Sequence, residues 1–107
     1  MKGKKKGKFY IYCKVEDELW VEEREGWIKE GIGFCRCSQG HRWMITDLKS
    51  GASLSKNSFP TLDEGWKFYM KNKNKIDEKK KSGIYKDTVE MFSFLVKTKE
   101  KEEREKI

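Results

Sequence analysis

The apolar pattern of this 107-residue chain changes period at Pro60. Before Pro60, apolar residues recur at every second position, and after it they recur every three or four, which is the difference between strands and helices. Thr61 followed three residues later by Glu64 is a capping-box pattern, in which the hydroxyl takes an orphan amide and the carboxylate reaches back to the cap's own N–H. A helix is therefore expected from Thr61 to Lys79. At about 100° per residue its Leu62, Trp66, Tyr69, Met70 and Ile76 share one arc, and that stripe must lie on something. Trp66→Ala is expected to be among the costliest single changes.

The segments before Pro60 read as strands able to provide that surface. Phe9, Ile11, Cys13 and Val15 alternate with Tyr10 and Tyr12 in a first strand that ends at Glu16-Asp17. Leu19 and Val21 alternate with Trp20 and Glu22 in a second, so the two form a hairpin. Glu22 to Glu25 reads as a charged loop closing at Gly26, and Trp27 to Cys37 as a third strand interrupted by Gly31 and Gly33. Ser38 to His41 is a turn, Arg42 to Leu48 a fourth strand, and Ala52 to Ser58 a polar connection.

Beyond the helix, Lys79, Lys80 and Lys81 suit the negative end of the helix dipole, and Gly83 suits a left-handed cap. From Ile84 to Lys97 the pattern fits two periods: Tyr85, Val89, Phe92, Leu95 and Val96 cluster on one helical face, while Thr88 to Val96 also alternates. A helix is preferred, because the charged run that follows is strongly helix-forming and carries i,i+4 charge pairs. The expected class is α+β: a four-stranded, mainly antiparallel sheet, then a packed amphipathic helix and a second C-terminal helix. The expected layout is a basic flexible arm over 1–8, one domain over 9–97, and a charged helical or frayed tail over 98–107.

Charged residues make up 40% of the chain and apolar ones 36%, near the lower limit for a folded core, but four Trp, four Tyr and six Phe enlarge the area each buried position removes from water. Three cysteines cannot all pair, and the uncharged run Phe9 to Cys13 is too short for a signal-peptide core, so a cytoplasmic setting is expected. No stretch approaches the roughly 20 apolar residues of a membrane span.

Catalysis is not expected. His41 is the single histidine, and the chain has no Gly-rich phosphate loop and no Gly-x-Ser-x-Gly. Cys35, Cys37 and His41, with Cys13 as a fourth ligand, would be the candidate zinc set, but Cys-x-Cys lacks the usual two-to-four-residue spacer and a free Cys is commonly a small buried hydrophobe. Neither a metal, a cofactor nor a small-molecule substrate is expected.

The net charge of +7 favours a polyanionic partner. Lys67, Lys71, Lys75, Lys79 and Lys80 line the first helix and its exit, while Tyr10, Tyr12, Trp20 and Trp43 are expected to share the sheet face turned away from it. Lysines neutralise phosphates and aromatics stack on unpaired bases, so the expected partner is single-stranded or structured nucleic acid. The alternative rests on the acidic residues gathered between Glu16 and Glu30. A chain basic at one end and acidic at the other also fits a protein that docks on and inhibits a host protein, as in phage or mobile-element counter-defence of the anti-CRISPR kind.

Overall fold

The computed structural model describes residues 1–37 and 40–105, so the expected turn at Ser38 and Gln39 lies outside the described residues. In chain order the elements are β1 (Lys5–Val15), β2 (Glu18–Lys29), β3 (Ile32–Arg36), β4 (Trp43–Asp47), α1 (Leu62–Lys79) and α2 (Gly83–Glu105). The sheet is antiparallel with order β1-β2-β3-β4, and the two helices follow it, as expected for the α+β class.

The first hairpin is longer than its apolar pattern. β1 and β2 pair without a break from Lys5↔Ile28 to Val15↔Glu18 around a two-residue turn in which Glu16 has φ 54°. Lys5 to Lys8 of the expected arm are therefore strand residues. The expected charged loop Glu22–Glu25 is also strand, because its charges find partners on the sheet: Arg24 donates to Glu22 at 2.8 Å, and Lys8 Nζ stands 3.8 Å from Glu23. Trp27 to Lys29 close β2 instead of opening β3. The chain reverses at Glu30-Gly31, whose φ values of 50° and 79° are those of a two-residue turn that matches strand twist.

Period two then divides the sheet into two faces. One face carries Trp27, Ile32, Phe34, Trp43 and Ile45, and α1 covers it with Leu62, Trp66, Tyr69 and Ile76. The helix comes close because position 65 is glycine, where a Cβ would stand 3.1 Å from Ile45 and meet Phe59 and Phe34. Met70 is exposed, since it lies one residue, about 100°, beyond the buried Tyr69. The other face holds a second cluster, Phe9, Ile11 and Cys35 with Cys13, Ile28, Met44 and Leu48. The Phe9 ring crosses β2 to lie over Gly33, where a Cβ would be 2.7 Å from it. The sheet therefore curls, and the Tyr12 N–H reaches the Gly51 carbonyl beyond β4 at 2.8 Å. The connection after β4 continues along its edge through bridges Thr46↔Ser53 and Trp43↔Phe59.

Thr61 caps α1 as expected, its hydroxyl accepting the Glu64 N–H at 3.2 Å. The far end differs from expectation. Gly83 has no left-handed φ and is the first residue of α2. Ser82 serves both helices instead, donating to the Lys79 carbonyl at 2.8 Å and accepting the Tyr85 N–H at 3.1 Å. The segment from Ile84 to Lys97 is helix, with Phe92 buried against Tyr12 and Gly51, and Tyr85, Val89, Leu95 and Val96 half-buried. Tyr12 pairs with Val21, which shares the face of Trp27, so α2 covers the outer half of the face that α1 covers at the other end. No helix among the described residues is long and apolar enough to cross a membrane.

Candidate nucleic-acid interface

Lys67, Lys71, Lys75 and Lys79 all lie exposed along α1 at i,i+4 spacing, so their positions follow one another at about 6 Å along the helix. None of the four enters an ion pair among the described residues. Lys80 is placed differently. Its ammonium stands 3.4 Å from Asp47, a carboxylate only 3% exposed, and it ties the end of α1 to the sheet instead of facing solvent.

The four sequence-nominated aromatics do not share a face. Tyr10, Tyr12 and Trp43 belong to the helix-covered side, whereas Trp20, paired with Cys13, belongs to the other. The reason is register, since the turn at Glu16-Asp17 sets Tyr12 opposite Val21 and so puts Trp20 one residue out of phase. Tyr12 packs on Phe92, with ring centroids 6.4 Å apart. Tyr10 has its hydroxyl pushed above its usual pKa by burial and by the carboxylates of Glu103, Glu23 and Glu100, a setting that repels phosphate. Trp20 spends its indole N–H on Glu22 at 3.0 Å, and that bond holds the Glu22 carboxyl below its usual range.

Trp43 is the nominated aromatic that joins a basic surface. It is half-buried, and the Arg36 guanidinium lies 4.9 Å from its ring centroid, the two residues being direct partners in the β3–β4 ladder. Two further pairs repeat the arrangement on the same face: Lys4 stands 5.0 Å from the Trp27 ring and Lys29 stands 4.3 Å from the Trp66 ring. A cleft lined by Lys6, Trp27, Arg36 and Trp43, with Glu23 and Glu25 on its β2 wall, opens between β2 and β3. Lys4, Lys29, Arg36 and Trp27 escape sequence reasoning because only the ladder register aligns Arg36 with Trp43 and Trp27 with Phe34.

Asp63, in the first turn of α1, feels both this cluster and the lysine row electrostatically. Its carboxyl is held below the usual range by the hydrogen bond and charge of the Met1 ammonium, 2.6 Å away, and also feels Lys67 and Lys4. Lys67, at one end of the row, and Lys4, over Trp27, thus both act at longer range on a carboxylate whose ion pair is with the Met1 ammonium.

Cys35 also lines the cleft between β2 and β3. Cys13 and Cys35 share the second core cluster, where burial pushes both thiols up, while His41 is exposed with Nδ1 3.3 Å from Arg36. Among the described residues no three His, Cys, Asp or Glu side chains converge as a metal site would require. Comparison of the chain with protein-family models, curated proteins and solved structures finds no match.

Proposed function

We propose that this protein is a non-catalytic, cytoplasmic module that binds single-stranded or structured nucleic acid. The observation that carries the reading is the exposed lysine row of α1, Lys67 to Lys79, which enters no ion pair among the described residues, together with the Arg36–Trp43 and Lys4–Trp27 pairs on the sheet face that α1 covers. Phosphates follow the row, and unpaired bases stack at the tryptophans. The three free thiols support a reducing compartment.

The experiment is salt-titrated fluorescence anisotropy with a labelled oligonucleotide. Four single-strand phosphate contacts give a log–log salt slope of about −3. A dissociation constant weaker than about 10⁻⁴ M at physiological salt, below the usual non-specific range, overturns the reading. A protein-directed role is favoured by a separate feature, the acidic hairpin and its strand edge, which no strand covers among the described residues.

A further inference from the structure

β2 has twelve residues, and β3 pairs only with the last three, Trp27, Ile28 and Lys29. The backbones touch at Gly26, where a Cβ would stand 2.0 Å from the Phe34 carbonyl oxygen, and beyond that point the cleft separates them. Among the described residues no strand covers the β2 edge from Glu18 to Glu25.

The direction of its backbone groups follows from one bond. Tyr12 sends its N–H away from β2, to Gly51, so Tyr12↔Val21 is a non-hydrogen-bonded pair. Alternation gives the same character to Lys14↔Leu19, Tyr10↔Glu23 and Lys8↔Glu25. The N–H and C=O groups of Leu19, Val21, Glu23 and Glu25 therefore point off the free edge. A single cap meets them among the described residues, Lys99 Nζ donating to the Val21 carbonyl at 3.1 Å.

Beside this edge runs a groove with a floor of Leu19, Val21 and Leu95 and a rim of Glu102 and Glu103 from α2. On the same face Glu23 and Glu25 continue the line of Leu19 and Val21. An open row of strand amides is a template for another strand, and this one is apolar at one end and acidic at the other. A second copy is a poor match, because antiparallel self-pairing about Glu22 sets Glu23 against Val21 and Glu25 against Leu19, leaving both outward carboxylates without a cation, and sets Glu22 against its own copy.

We propose that the Leu19–Glu25 edge of β2 accepts, by strand addition, an extended segment of a partner protein whose groove-facing side chains are basic opposite Glu23 and Glu25 and apolar opposite Val21 and Leu19. Main-chain hydrogen bonds supply affinity, and the acidic rim supplies the choice of partner. Lys99 guards the edge until the segment arrives. The proposal does not rest on nucleic-acid binding, although its Glu23 and Glu25 end borders the cleft that holds Trp27, Arg36 and Trp43.

The probe is a labelled peptide Lys-Thr-Lys-Thr-Val-Thr-Leu, whose alternate residues meet Glu25, Glu23, Val21 and Leu19 when it lies antiparallel to β2. Binding is expected with a dissociation constant below about 1 mM, with slowed hydrogen exchange at the Val21, Glu23 and Glu25 amides. Glu23→Pro removes an outward N–H without removing a ladder hydrogen bond to β1, and it should weaken peptide binding at least tenfold while leaving circular dichroism unchanged. Glu103→Lys should weaken it without altering the backbone. The proposal is overturned by no saturable peptide binding below about 1 mM, by equal binding of a peptide with both lysines replaced by glutamate, or by full binding to a folded Glu23→Pro variant.

Discussion

The Tyr85 hydroxyl donates a 2.8 Å hydrogen bond to Oδ2 of Asp47, joining the first turn of α2 to the last residue of β4 across 38 positions of sequence. The same carboxylate oxygen accepts from the Ser50 hydroxyl at 2.7 Å and the Ser50 N–H at 3.2 Å, while Lys80 approaches the other. A buried acid without those partners would be costly, so the four groups hold the sheet end and both helices together. Tyr85→Phe should cost about 1.5 kcal/mol in urea unfolding at neutral pH, the lower range for a hydrogen bond to a charged group.

Burial, the hydrogen bond to Asp47 and the charge of Asp47 push the Tyr85 phenol up from its usual value. Its stabilising contribution is thus complete below the unfolded-state pKa of about 10 and is lost as pH rises above it, because the unfolded tyrosine then releases a proton that the native one keeps. Unfolding free energies at pH 9 and pH 11 should fall more steeply for the natural protein than for Tyr85→Phe. Equal falls would remove Tyr85 from the alkaline transition.

Gly51 has φ 69°, and a Cβ there would stand 2.2 Å from the Phe92 ring. Gly51→Ala combines left-handed strain with overpacking and should destabilise by about 2–5 kcal/mol. Gly40→Ala, which meets nothing within 4 Å and has no left-handed φ, should change stability by less than about 0.5 kcal/mol. Paired urea melts check both.

Phe34 is fully buried between α1 and the sheet, whereas Trp66 is half-buried with Lys29 over its ring. Phe34→Ala should therefore cost about 3–5 kcal/mol and more than Trp66→Ala, reversing the order expected from residue size. Chemical denaturation of the two variants tests the ranking.

The lysines of α1 and its exit should separate by function. Replacing Lys71, Lys75 and Lys79 with Gln should flatten the oligonucleotide salt slope by about 2 and leave unfolding unchanged. Lys80→Gln should leave the slope unchanged and cost about 1 kcal/mol of stability through Asp47. Trp43→Ala should weaken oligonucleotide binding by about 1–3 kcal/mol, the value of one stacked base, while Tyr12→Ala should act on stability through Phe92.

What the sequence by itself determined is local. Period two before Pro60, period 3.6 after it and the Thr61 cap specify the strand-then-helix order, because each depends on residues within one turn or one strand. The exposed row Lys67 to Lys79 follows from helical spacing alone. Tertiary structure decided what depends on register and closure. A two-residue turn at Glu16-Asp17 carries pairing through Glu22–Glu25, where composition suggests a loop, and it places Trp20 on the face opposite Tyr10 and Tyr12. Arg36 meets Trp43, Lys4 meets Trp27, and Lys80 is drawn to Asp47 through pairings between segments distant in the chain. Side-chain alternation says which residues share a face of one strand, but only the hydrogen-bonded ladder says which face of the next strand they join.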